Sequence, residues 1–228
     1  MKALVLALLV FGSAACTKAV VNGGRTPLSQ VPVGSWAEYR LTLPTGHQSL
    51  VIGVVGRDAR STVVETTMTE GEPSSPSAPI VDRQVFALAD DFGKPPIAAA
   101  IQVGSYEPMT RAPADVQSNV DFSRLSPKDI VARGSITVPA GTFAALHYKT
   151  AVEGSSADLW VSDRVLPTGI VKMRLLPPAG ASATEEAVLE LQRMGTGAKP
   201  RIQKSPRPFD RDVLTRELMS IAGGQPQR

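Results

Sequence analysis

Hydrophobic and polar residues alternate through most of this chain in short runs. Trp36 to Leu43 sets Ala37, Tyr39, Leu41 and Leu43 on one side and Trp36, Glu38, Arg40 and Thr42 on the other, the period-two pattern of a half-buried strand. Thr45-Gly46-His47 turns the chain, Gln48 to Val55 reads as a second strand, and the β-branched run Arg60 to Thr69 as a third. Ile80 to Ala89 and Ile97 to Val103 continue the series, with Asp90 to Pro96 turning between them. Five more strands follow: Ile130 to Val138, Thr142 to Ala151, Ala157 to Ser162, Gly169 to Leu176 and Glu186 to Met194. Pro139-Ala140-Gly141, Glu153-Gly154-Ser155-Ser156 and Pro177-Pro178-Ala179-Gly180 provide turns among them.

Other stretches break the pattern. Glu70 to Pro79 holds three prolines and three serines and predicts a loop. Gly104 to Asn119 is mixed and polar, without a period. Ser126-Pro127-Lys128-Asp129 reads as a turn or one short helical turn, with Pro at the first helical position. Helical spacing occurs near the end, in Asp210 to Ala222: Val213, Leu214, Leu218 and Ile221 form one stripe, Asp210 can cap, and Gly223 stops it. The predicted fold is mainly β: a curved antiparallel sheet or half-barrel of about ten short strands over residues 32–198, with a short C-terminal helix.

Composition agrees. Gly (19) and Pro (19) together make 38 of 228 residues, a share that suits turn-rich sheets better than helical bundles. One Cys excludes an intrachain disulfide and a thiolate zinc site, and two His leave little for a metal centre. The charge is uneven. Residues 199–228 hold seven Lys/Arg and three Asp/Glu, a net +4 against +3 for the whole chain, so with Lys2 set aside residues 17–198 carry −2. Lys199, Arg201, Lys204, Arg207 and Arg211 lie in or just after a Pro-rich basic stretch expected to be a linker, with anionic lipid headgroups as one conceivable partner.

Lys2 precedes a nine-residue apolar run, Ala3 to Phe11, which is too short to span a bilayer and has the length of a secretory h-region. Gly12-Ser13-Ala14-Ala15 and then the lone Cys16 follow. This resembles a bacterial lipoprotein signal, with Ser13 where that family usually has Leu. The resemblance implies cleavage after Ala15 and diacylation of Cys16; an ordinary secretory signal is the alternative. Lipid on Cys16 would hold the mature chain on a membrane, with 16–31 as a flexible tether. Thr17 stands where the resemblance to enterobacterial lipoproteins associates Asp with inner-membrane retention, so the expected location is the outer membrane, facing the periplasm or the cell surface. Export makes nucleic acid an unexpected partner.

Catalytic motifs such as G-x-S-x-G, the P-loop, H-E-x-x-H and G-x-G-x-x-G are absent. His47 and His147 lie 100 residues apart, neither with a ligand-spaced companion. His147, in mid-strand, has Asp158 or Asp163 as candidate partners for a base. Asp90-Asp91 is an acidic pair that turn chemistry explains as well as calcium would. The expectation is a non-enzyme with no catalytic residue, no metal and no cofactor.

Residues Ile136 to Lys172 contain Thr137-Val-Pro-Ala-Gly-Thr-Phe143, His147-Tyr148, Asp158-Leu-Trp-Val-Ser-Asp163 and Leu166-Pro-Thr-Gly-Ile-Val-Lys172. This pattern resembles uncharacterised secreted bacterial β-domains, which are similar in turn to the LolA/LolB-like half-barrel superfamily of lipoprotein carriers. The resemblance implies a concave sheet that holds an acyl chain, with Phe143, Trp160, Val171 and Met173 as candidate ligand-binding residues. Two functions follow as expectations. One is a membrane-anchored envelope lipoprotein whose β-domain binds a hydrophobic ligand or an envelope protein. The alternative is an assembly subunit that docks a partner through a sheet edge and the C-terminal helix. An open apolar groove would favour the first, and a core filled by the chain's own side chains the second.

Overall fold

The computed structural model describes residues 25–70, 78–90, 92, 94–113, 116, 125–152, 155–176 and 186–222. Residues 1–15, expected as a signal segment, Cys16 and Asp91 lie outside them. Among the described residues eleven strands form one unclosed, curved antiparallel sheet, with one short α-helix at the C-terminal end. The first six are β1 (Trp36–Leu43), β2 (Gly46–Arg57), β3 (Ser61–Glu70), β4 (Ile80–Ala87), β5 (Ala98–Val103) and β6 (Met109–Arg111). Then come β7 (Ile130–Val138), β8 (Gly141–Val152), β9 (Ser155–Val161), β10 (Ile170–Leu176), β11 (Ala187–Gly195) and the helix α1 (Arg211–Ala222).

The order across the sheet is β6-β5-β4-β3-β2-β1-β11-β10-β9-β8-β7. The chain therefore starts in the middle, meanders outward to β6, crosses to the far edge at β7 and meanders back until β11 pairs with β1. Two arms result, β1–β6 and β7–β11, and they join along the β1–β11 ladder from Trp36↔Gly195 to Thr42↔Val188.

Alternation does what the sequence predicts. Ala37, Tyr39, Leu41, Leu50 and Ile52 are buried on one face, with Leu159, Met173, Leu189 and Leu191 from the second arm. This inner face carries the main core. It is closed over by other parts of the chain. Leu28 and Val31, expected as the end of the tether, are fully buried in that core, and Arg57 holds their carbonyls at 2.7 Å each. Phe92 packs edge-on against Phe86, and Leu125 joins from the crossover between the arms.

The arms curve differently. In the second, β7 bends far enough to touch β10 and β11, with which it is not paired, and the Ala140 N–H in the β7–β8 turn reaches the Leu191 carbonyl at 3.4 Å. The long strand β8 changes its buried side along its length. Phe143 and Ala145 are buried toward the turn, Tyr148 toward the other end.

The first arm is covered on its outer face by the basic stretch after β11, which lies extended across the strands as a strap. Ala198 N–H bonds the Gly34 carbonyl (2.9 Å), and a Cβ on Gly53 would sit 3.1 Å from that of Ala198, so glycine permits the close approach. Ile202 is buried with Val81 and Ala100. The anchor is Glu65, 3% exposed, whose carboxylate accepts the N–H groups of Arg201 (2.6 Å) and Ile202 (3.2 Å) and pairs with Arg83. Farther on, Arg207 bonds both ways with the β6 edge, its N–H to Pro108 O (2.9 Å) and its carbonyl to Thr110 N–H (2.8 Å). Asp210 Oδ1 then accepts the N–H groups of Asp212 and Val213, the predicted N-cap.

Candidate functional site

Three places bear on function: the pair around His147, the filled interior and the two sheet edges.

His147 and Trp160 are cross-strand neighbours on β8 and β9, and their rings stack at 4.3 Å and 11°. His147 Nε2 donates to Asp158 Oδ1 at 2.7 Å, so the structure brings together the predicted His147 and Asp158. Asp163 is elsewhere, exposed, its carbonyl accepting from Thr26 (3.3 Å). The His147–Asp158 pair lies in an outer-face ladder of ion pairs, beside Lys172–Glu190 (2.8 Å) and Arg174–Glu186 (2.6 Å). With one nitrogen on a carboxylate and one ring face on indole, the imidazole is held as part of a cross-strand stack. His47 is exposed, against Thr42 Oγ1 at 3.2 Å. Among the described residues no cluster of three His, Cys, Asp or Glu could hold a metal ion.

Of the candidate ligand-binding residues, Phe143 and Met173 are each 3% exposed and Val171 is fully buried; all three belong to the main core, while Trp160 is half-buried at its margin. The interior contains two fully buried tyrosines with different surroundings. Tyr39 donates to the Ile170 carbonyl (3.0 Å) and receives the Thr168 hydroxyl (2.5 Å), while Thr168 Oγ1 in turn accepts Ile170 N–H (3.1 Å). Burial raises its phenol far above the ordinary range, against the opposing pull of the Thr168 bond. Tyr148 Oη, equally buried, has no hydrogen-bond partner among the described residues, and burial raises its pKa as well.

The sheet edges differ most. At one, the three-residue β6 is capped by Arg207 of the strap. At the other, the nine-residue β7 is exposed from Val131 to Ser135 on both faces, with Val131 55% exposed. Among the described residues the backbone hydrogen bond that reaches β7 from outside the sheet is at its first residue, where the Ile130 N–H meets the Pro127 carbonyl; none is made to Val131–Val138. One charge, Arg133, and a bulge at Val131 are its modest defences against strand pairing. Sequence reasoning missed this edge, because which strand lies outermost is a property of topology. A groove of about 780 Å³ lies beside the strap on the outer face; its lining includes Val51, Val55, Val81, Arg193, Lys199 and Arg201.

No family model matches the chain, and no curated protein matches it. Solved structures do. A hypothetical protein from Chlamydia trachomatis is 11% identical at a TM-score of 0.49, over 80% of this chain and 98% of that one. A putative exported protein with a YmcC-like fold from Bacteroides fragilis is 12% identical at 0.36, over 73% and 97%. The MucA/MucB complex of Pseudomonas aeruginosa gives 13% identity at 0.41, over 75% and 56%.

Proposed function

We propose that this chain is a non-catalytic protein of the cell envelope, anchored to the outer membrane by lipid on Cys16, whose β-body docks a partner protein along the free edge β7. The observation that carries docking is the contrast between the edges: among the described residues the chain covers β6 with its own strap and leaves Val131–Val138 of β7 open. An unpaired strand of that length offers a ladder of main-chain donors and acceptors to an extended segment of another protein. Cys16 behind a short apolar run supports the anchor.

The carrier reading, implied by the LolA/LolB-like pattern, asks for an open apolar concavity. Leu28, Val31, Phe92 and Leu125 occupy the inner face, so an acyl chain seated on Phe143, Val171 and Met173 would have to displace side chains already packed there.

A photo-crosslinking residue in place of Arg133, expressed in cells, is expected to give one discrete protein adduct that Ser135→Pro abolishes. The same residue in place of Thr42, on the central β1, is expected to give none. Adducts equal at both positions, or only lipid adducts, would reject docking through β7. The mass of the mature N-terminal peptide reads the acylation of Cys16 separately.

A further inference from the structure

The strap has an inner side and an outer side, and the outer one has no use within the fold. Inward, Ala198 meets Gly53, Ile202 is buried and the Glu65 carboxylate holds two backbone N–H groups. Outward, Lys199, Arg201 and Lys204 are all exposed. Three cations elsewhere on the outer face are paired with carboxylates: Lys172 with Glu190, Arg174 with Glu186 and Arg193 with Glu38. Among the described residues Lys199 and Arg201 have no acidic partner, and Lys204 has only the exposed Glu107 at 3.7 Å. Two residues past Arg207, Phe209 is 43% exposed. Met219 is 64% exposed and lies two residues after the buried Glu217, hence on the far side of α1 from the Arg207–Glu217 pair.

We propose that this strap, continued into Phe209 and α1, is a second membrane contact: a basic face that lies on an anionic lipid surface. Exposed cations in an extended row, followed by an exposed aromatic and a thioether, match an interface in which charge draws the protein in and apolar side chains enter the headgroup region. The remainder of the mature chain is net negative, so the attraction is directional and turns this face toward the bilayer. A basic patch contributes membrane affinity of its own beside a lipid anchor. The inference rests on the reading that the protein works at a membrane, yet the lipid on Cys16 is not needed to test it.

The sheet, strap and helix all lie within residues 25–222, so a chain lacking residues 1–16 retains every contact described. This protein is expected to co-sediment with phosphatidylcholine vesicles containing phosphatidylglycerol, to ignore pure phosphatidylcholine, and to release as salt is raised. Lys199→Glu with Arg201→Glu and Lys204→Glu should weaken partitioning at least about tenfold. Phe209→Ser with Met219→Ser should weaken it by a smaller factor. Lys149→Glu, an exposed cation on β8, should leave it unchanged, with circular dichroism verifying that each variant is folded. Equal binding to neutral vesicles, binding that survives the triple charge reversal, or no vesicle binding at all would overturn the proposal. Each of these would leave the acylation of Cys16, read by mass, intact.

Discussion

The two arms of the sheet solve the same burial problem in opposite ways. The β7–β11 arm bends until its own turn reaches β11, and its ion pairs form a partly exposed ladder on the outer face. The β1–β6 arm is covered by foreign chain, the strap on one face and residues 25–31 with Phe92 on the other. Laying backbone on a sheet brings polar groups into the interior, and these must be matched there. Hence Glu65, Thr62, Thr67 and Gln84 are buried in the first arm, and Asp82 faces Arg111 at 3.1 Å. Both arms bury polar side chains, Asp158, Ser162 and Thr168 among them in the second, but only the covered arm sets a buried carboxylate, Glu65, on backbone N–H groups of the segment lying over it.

The largest effect is expected where covering depends on one side chain. Glu65→Ala leaves Arg83 and two N–H groups without their acceptor and should cost about 3–5 kcal/mol, as breaking one side of a buried ion pair does. Denaturant unfolding reads the loss. Amide exchange should rise first at residues 198–207 and leave β8–β10 protected; uniform exchange across both arms would mean that the strap is not a separate layer.

The two tyrosines sharpen the contrast by differing in sign. Tyr39→Phe removes the hydroxyl that joins β1 to Thr168 and Ile170 and should destabilise by about 1–3 kcal/mol. Tyr148→Phe removes a buried hydroxyl without a partner among the described residues and should be neutral or stabilising by about 1 kcal/mol. Equal losses from both would show that hydrogen bonding does not separate them.

The smallest effects lie in pH dependence. Burial raises the Asp82 pKa, with Gln84 and Arg111 opposing, so the native state binds that proton more readily than the unfolded chain. Stability from this group therefore falls as pH rises from the ordinary carboxylate range through the raised value, and Asp82→Asn should flatten that slope. Glu186 is the reverse: its hydrogen bond to Arg174 lowers its pKa, so its contribution is present above the ordinary value and is lost as pH falls through the lowered one. Being partly exposed, this pair is worth at most about 1 kcal/mol, and Glu186→Gln should remove that acid-side loss. Unfolding free energies over a pH series test both signs.

Local pattern made the strands legible. β1 and β7 begin and end where alternation places them, and the helix cap at Asp210 was readable from residue type. β6 was missed because Met109–Arg111 follows a proline and is too short for a period; it is a strand because β5 and Arg207 flank it. The carboxylate of Glu65 gave no local sign of burial, since only the distant strap dehydrates it. His147 and Asp158 were readable as candidates because adjacent strands bring such spacings together. The free edge and the outward cations of the strap depend on which strand ends the sheet and what covers it, and neither is encoded within a window of ten residues.

The seam between the arms joins residues such as Glu38 and Arg193, 155 positions apart. Each arm is a chain of neighbouring hairpins that can form as it emerges, whereas β1 lacks one neighbour until β11 arrives. The central ladder therefore stays half-made, with Tyr39 and Leu41 short of their β11 partners Leu191 and Leu189, until the last strand docks beside the first.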